Sequence, residues 1–526
     1  MAIKRFFASR DNTITNAFNA SLTDTNRATG SNMGAADVLE TFSIYGQGSG
    51  SSGLSQELSR ILIQFPIDEV STARTAGTIP ASGSVNFYLK MFNARHAFTI
   101  PLRMTLQVLP VSQSWQEGVG LDMDEYVDKT YGNSGSNWVA RGQGLGDWKY
   151  IGGTYLTGSA AYTEFNYNVS FDPGYDDLSV DITGLVEQWI KGSGAGGGFD
   201  NNGVGLHLIP SQEAYYSSSA YPDLGNLIQN VDGATDSYYT KKFFSRSSEY
   251  FFKRPALEAR WDSAVKDNRG SFYYSSSLAP PADNFNTLYL YNYVRGRLVD
   301  VPDASGVDPL TVRMYSSSAG TPAGSGLLLV DKSTSRRTTA AAGRVSTGIY
   351  SASFALTAAA TPLTAVHDVW ELGSLGNPEL FTGSFFPELM PTYNNAPTFE
   401  RVININNLKP KYSRRETARF RTFVRSKNYN PNIYTVATSD IPNESIVSAS
   451  YKVIRLTDNL EVIPYGTGSS RCTYLSYDVS GNYFDLDMSM LETDYSYGIK
   501  LSFYNDSIGS WVEQPYTFRF RVEDDT

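Results

Sequence analysis

The residues best able to do chemistry are scarce in this chain. His96, His207 and His367 are the only three histidines in 526 residues and stand far apart. No P-loop, GxGxxG, HExxH or GxSxG segment occurs in a fitting context. A metal centre or a Ser-His-Asp triad needs several convergent groups. The sequence therefore points to no catalytic residues, no cofactor and no metal, and it reads as non-enzymatic. His207 lies in an alternating apolar run, where a half-buried structural histidine is the simpler reading. The acidic run LDMDEYVD (Asp122, Asp124, Glu125, Asp128) has the oxygens a calcium ion wants. Val127, however, stands where an EF-hand loop requires glycine. It reads as a solvated loop, as do Asp172, Asp176 and Asp177 in FDPGYDD.

Two other groups could make contacts without catalysing anything. Trp115, Trp138, Trp148, Tyr215, Tyr216, Tyr238 and Tyr239 fall in loops or insertions. There they are candidates for stacking on sugar rings, for a subunit interface or for core packing. LKPKYSRRETARFRTFVRSK carries Lys409, Lys411, Arg414, Arg415, Arg419, Arg421, Arg425 and Lys427 against Glu416 alone. It reads either as the wet face of an edge strand with Phe420, Thr422 and Val424 inward, or as a docking patch. An acidic neighbour would fit the patch, for example the VEDDT tail (Glu523, Asp524, Asp525) of another copy.

The elements that must carry these groups are strands. SRILIQF, SVNFYLKMF, RMTLQVLPV, GVGLHLI, NTLYLYNYV, GIYSASFAL, SASYKVIRL, YGIKLSFY and YTFRFRV alternate or run apolar between Gly/Ser/Asn/Asp turns. Helical periodicity is confined to LSVDITGLVEQWIKG. There a strand end passes into about two turns of helix, capped by Thr183 or Asp181. Leu185 and Trp189 share its inner face, and Glu187, Gln188 and Lys191 face water. The expected fold is all-β: a jelly-roll-like sandwich with one short helix, then two immunoglobulin-like sandwiches. Residues 1–264, 265–404 and 405–526 are the expected domains. RPALEARW closes the first, and SAVKDNRGSFYYSSSLAPPADN reads as a linker.

Composition narrows the class of function. Apolar residues at 41% with 35 Tyr and 28 Phe make a globular chain, and 43 basic against 53 acidic residues give a net charge of −10. That balance argues against nucleic acid as a partner. Cys472 is the single cysteine, so no intrachain disulfide stabilises the fold. Neither a signal-type apolar segment nor a membrane-spanning run is present, which implies folding in a cytoplasm and no membrane insertion.

From Asp11 to Leu257 the order of features resembles the DNRLRE family of carbohydrate-binding-module-like jelly rolls. The matching pieces are Asp11-Asn12-Thr13-Ile14, the turn Gly30–Gly34, Arg60 followed by an apolar strand ending in Phe65, and Ser84–Leu89. They continue with Ser114-Trp115-Gln116-Glu117-Gly118, Asn137-Trp138, Val180-Asp181-Ile182-Thr183 with Leu185 and Trp189, Asn202-Gly203, and Arg254–Leu257. Residues 122–149 and 212–240 depart from that pattern. The whole chain, notably MAIKRFFASRDNTITNAF and SQSWQEGVGLDMDEYVD, resembles virion structural proteins of tailed bacteriophages. The resemblance implies a virion protein of the neck, collar, tail or capsid exterior. Its partners would be other virion proteins, and it would be a homo-oligomer or stand in several copies on a ring. The alternative is an adhesin binding host surface glycans through the N-terminal domain. A polysaccharide-degrading enzyme is a third reading, requiring paired carboxylates across a cleft.

Overall fold

The alternating runs are strands in the computed structural model. It describes residues 2–18, 27–45, 56–96, 102–121, 135–157, 163–194, 197–216, 229–235, 238–302, 304, 309–316, 320–331, 335–357, 363, 365–373, 378–390, 400–429, 433, 443–466 and 470–524. The calcium candidates Asp122, Asp124, Glu125 and Asp128 lie outside the described residues, as does Asp525. The chain divides into two compact units, Ala2–Trp261 and Asp262–Thr526. No helix among the described residues is long and apolar enough to cross a membrane.

The first unit is an antiparallel sandwich of jelly-roll type. One sheet runs in the order Ile3–Phe7, Ala256–Arg260, Asn86–Met91, Leu178–Asp181, so the first and last strands of the unit pair. The other runs Tyr238–Phe244, Val38–Ile44, Glu57–Gln64, Val204–Leu208, Met104–Pro110, Tyr167–Phe171, with Arg10–Thr15 also against Glu57–Gln64. Glu57–Gln64 is buried along both faces: Ile61 and Ile63 on one, Leu58, Arg60 and Leu62 on the other. Strands of that kind read as continuous apolar runs because neither face meets water.

The unit has two helices where the sequence suggested one. Helix α1 (Ile67–Thr75) follows Pro66, has Asp68 and Glu69 in its first turn, and has Arg74 in its last. Helix α2 (Thr183–Lys191) buries Leu185, Val186 and Trp189, as its spacing requires. The N-cap position falls on Ile182, which has no side-chain cap, while the Asp181 carboxylate accepts the Thr183 N–H at the helix start, 2.9 Å. The Thr183 hydroxyl accepts the Phe87 N–H and donates to Asp181, which ties the helix to the neighbouring strand. Glu187 is not solvated. Arg74 of α1 donates two bonds to it, of 2.8 and 2.6 Å, which pins the helices together.

The second unit holds two immunoglobulin-like sandwiches. In the first of them, the order is Arg336–Arg337, Leu329–Val330, Ile349–Thr357, Ala340–Ser346, Leu310–Ser316, Val366–Leu372, Glu379–Phe385. Tyr274–Ser275 and Asn286–Tyr291 also pair with Ile349–Thr357. Phe272, Tyr350, Phe354 and Trp370 are among its core residues. The second has one sheet of Arg401–Ile405, Thr417–Ser426, Gly481–Asp487 and Ser476–Asp478. Its other sheet is Lys411–Ser413, Phe518–Glu523, Ser496–Asn505, Ala449–Arg455 and Leu460–Ile463, with Ser510–Glu513 beside Ser496–Asn505. Phe484 stacks between Phe420 (5.1 Å) and Tyr451 (4.1 Å) in its core.

Two boundary expectations need correction. The supposed linker is built into the fold: Phe272 and Tyr274 are core residues, and Val265 and Asp267 donate backbone hydrogen bonds to Ser476 and Tyr477. Arg269 then bridges Asp267 (2.8 Å), Asp368 (2.6 Å) and the Tyr289 carbonyl, so this stretch rivets one sandwich to the other. The strand Arg401–Ile405 pairs with Thr422–Ser426, so the last sandwich begins before residue 405.

Trp189 fixes α2 to the first unit. Trp189→Ala is expected to cost about 3–5 kcal/mol, read as a lowered midpoint in urea denaturation followed by fluorescence. An unchanged midpoint would show that α2 is not part of the cooperative core.

Candidate functional site

Trp115, Trp138 and Trp148 are not a surface platform. With Ile14, Leu58, Leu62, Val111 and Ala214 they form a buried cluster on the Leu58/Leu62 face of strand Glu57–Gln64. The Trp115 indole N–H donates to the Asn202 carbonyl and that of Trp148 to the Asn137 carbonyl, 2.8 and 2.9 Å. Tyr216 and Tyr239 are buried too, Tyr215 is partly buried against Tyr45, and only Tyr238 is exposed. Of the three readings open for these rings, core packing holds for the three tryptophans: the loops use them to roof a second core.

That roof holds a charge. Arg60 projects from the same strand face and donates to both Glu213 oxygens (3.1 and 2.8 Å) and to the Gly152 carbonyl, with the Trp138 and Tyr155 rings beside it. His207 lies 3.6 Å from Glu213 and bonds the Leu208 carbonyl through Nδ1. Burial, reinforced by the Arg60 charge, lowers its pKa to about 4. The arrangement is a buried ion pair beside a neutral imidazole.

A second node gathers the segments that carry the family resemblance. Asn32 uses all its side-chain hydrogen-bonding capacity: Nδ2 donates to the Glu117 and Ser136 carbonyls, and Oδ1 accepts from Gly34 and Gly120. Gly118 (φ +85) and Gly135 (φ +110) press so close that a Cβ on either would come within 2.5 Å of the Asn32 side chain. Asn12 reaches Ser136, and Glu117 takes two bonds from Arg246 and one from the Asp11 N–H. Burial pushes Asp11 up to about 7, against the pull of the Arg246 N–H it accepts.

The basic segment is paired within its own chain. Thr417–Ser426 alternates as expected, with Ala418, Phe420, Thr422 and Val424 inward, but it is an interior strand between Arg401–Ile405 and Gly481–Asp487 rather than an edge. Arg419 forks onto Asp485 and Arg421 onto Asp478, with Tyr483 beside both guanidinium groups. Lys409 meets Glu416 and Lys427 meets Glu400. Lys411 pairs with Glu523 of the same chain at 2.8 Å, the acidic tail that the docking alternative had supplied from another copy. Arg414 donates its N–H to the Glu523 carbonyl, Arg415 its N–H to Ser413, and Arg425 its side chain to the Ser426 carbonyl.

Two features were not anticipated. Strand Glu379–Phe385 ends its sheet, and among the described residues nothing pairs with its outer edge. Leu380 and Phe381 on it are 38% and 41% exposed, and Phe386 and Leu389 just beyond are 73% and 66% exposed. On the solvent face of the last sheet, Trp511 pairs across strands with Tyr504 and also meets Tyr474, at 5.6 and 5.5 Å. The signal for the first was an apolar run, LFTGSFF, without the charges that usually guard an edge. For the second it was a lone Trp in the four-residue strand that follows a turn. Among the described residues no group of three or more His, Cys, Asp or Glu is placed to hold a metal.

Neither a family model nor a curated protein matches the chain. Among solved structures the chain is similar to the N-terminal Ig1-2 module of the Drosophila receptor protein tyrosine phosphatase DLAR. Identity is 10%, coverage is 41% of this chain and 92% of that one, and the TM-score is 0.12, too slight a likeness to carry an argument.

The buried groups make opposite acid responses. Below pH 6.5 unfolded His207 takes up a proton that the folded chain refuses until about pH 4, so stability is lost as pH falls through that window. Folded Asp11 keeps its proton to about pH 7 while the unfolded group releases it near 3.8, so stability is lost as pH rises. Each effect is on the order of 3 kcal/mol, and they offset each other in the native chain. The stability advantage of wild type over His207→Gln should therefore grow between pH 4 and 6.5, and that over Asp11→Asn should shrink. Parallel pH profiles for all three proteins, from urea denaturation, would refute both assignments. Separately, Glu213→Gln strands a buried guanidinium and is expected to cost about 3–5 kcal/mol in the same assay.

Proposed function

We propose that the chain is a non-enzymatic structural protein of a tailed-phage virion, on the neck, collar, tail or capsid exterior, present in several copies against other virion proteins. The observation that carries this reading is the open Glu379–Phe385 edge with its apolar residues. An edge whose N–H and C=O groups meet no partner strand among the described residues, flanked by exposed Leu and Phe side chains, suits strand addition or apolar docking by a neighbouring subunit. Aromatic and aliphatic anchors of this kind are what the cores of protein interfaces favour. The chain's charged groups support the same reading indirectly. Arg419, Arg421 and Lys411 of the basic segment are already paired with Asp485, Asp478 and Glu523, which leaves exposed apolar surface as the adhesive this reading relies on. The tie to phage and to the DNRLRE-like modules rests on the sequence resemblance.

The glycan-adhesin reading loses its named platform in the N-terminal unit, because Trp115, Trp138 and Trp148 are covered.

Phe386→Asp and Leu389→Lys place charge beside the edge at residues that are 73% and 66% exposed. Mass photometry of the purified chain should show higher-order species that the double variant lacks, at unchanged melting temperature. The protein should also appear in mass spectra of purified particles of the phage that encodes it. A chain that is monomeric at every concentration and absent from the particles would overturn the proposal.

A further inference from the structure

We infer that the solvent face of the C-terminal sheet, around Trp511, Tyr504 and Tyr474, is a binding site for an uncharged saccharide. Six of the seven tryptophans are buried, whereas Trp511 is half-buried. Its position is not incidental to packing. The core side of strand Ser496–Asn505 is held by Tyr497, Ile499, Leu501 and Phe503, so Tyr504 and its cross-strand partner Trp511 belong to the opposite, wet face. Tyr474 reaches that face through its bridge to Ser450, which in turn pairs with Ser502. Ser450 and Ser502 are both buried, small residues over which the rings of a sheet face can lie.

The geometry favours rings with thin apolar faces over a flat protein surface. Trp511 is inclined at 56° to Tyr474 and 65° to Tyr504, so the three rings form angled walls instead of a plane. A pyranose presents such a thin apolar face edged by hydroxyls, and aromatic rings with polar neighbours complement it. The polar neighbours are beside the rings and are already balanced. Lys452 pairs with Glu461 and Glu513, and Lys500 with Glu513, while the Tyr465 hydroxyl donates to Glu513. These two ammonium groups and two carboxylates balance one another and supply donors and acceptors for hydroxyl groups, and Lys266, 5.8 Å from the Tyr474 ring, adds a further donor. Arg471, whose guanidinium stands 5.7 Å from the Tyr474 ring, holds a left-handed backbone (φ 44). Conformations of that kind are costly for a side-chain-bearing residue and cluster at ligand clamps.

The test uses the full chain and a panel of soluble oligosaccharides of glucose, mannose, galactose and N-acetylglucosamine, titrated by calorimetry. Expected is saturable binding to at least one of them, weakened about tenfold or more by Trp511→Ala and by Tyr504→Ala at an unchanged melting temperature. Trp511→Phe should recover part of the loss, because it restores a ring without the indole. No binding to any member of the panel overturns the inference, as does binding that Trp511→Ala leaves intact. If Trp511→Ala instead changes the oligomeric state and no saccharide binds, the face is a contact between copies and the site is withdrawn. The edge variants Phe386→Asp and Leu389→Lys should bind the saccharide normally, which separates this inference from the assembly proposal.

Discussion

One buried cation constrains the first unit more than any other group. Arg60 stands on a strand that is covered on both faces, among Leu58, Leu62 and three indoles. A guanidinium there is tolerable only if its charge is met and its donors are filled. Glu213 and the Gly152 carbonyl do both, and they arrive from two different loops. The loops of residues 135–157 and 209–216 are therefore fixed by electrostatics as well as by apolar contact. Loops fixed in this way can roof a core, but they cannot also spread their rings for a ligand.

The same logic explains what could be read from the sequence. Strands were legible because alternation and turn residues are local, and each of the nine runs taken as strands contains one. Helix α2 was legible from Leu185 and Trp189 four residues apart. Helix α1 was missed although Pro66, the acids at 68 and 69 and Arg74 are recognisable end signals; at nine residues, with its apolar positions limited to Ile67, Val70 and Ala73, its periodicity is faint. Core packing of Trp115, Trp138 and Trp148 was only one of three open readings, because loops have no period and their partners lie on strands dozens of residues away.

Charge was the most misleading local signal. From Lys409 to Lys427 the sequence looks like an uncompensated basic patch, but the compensating carboxylates sit at 478, 485 and 523. Antiparallel pairing of Thr417–Asp487 through Arg421–Tyr483 brings Arg419 directly opposite Asp485. Opposite charges facing each other across a ladder set register, and exposed pairs of this kind add little stability. A run of one sign thus says little about partners until the sheet that contains it is known.

This moves the search for function from charge to the surfaces that charge does not protect. An interface held by surface ion pairs would weaken as salt screens it, whereas burial of apolar area is not screened in that way. The exposed apolar residues of strand Glu379–Phe385 and the ring cluster at Trp511 lie in different sandwiches and on different kinds of surface, a strand edge and a sheet face. An edge offers main-chain hydrogen bonds in one direction and so suits a protein strand. A face offers rings and side-chain polar groups without free backbone, which suits a small ring-bearing ligand. Assembly and recognition can therefore coexist in one chain without competing for the same residues.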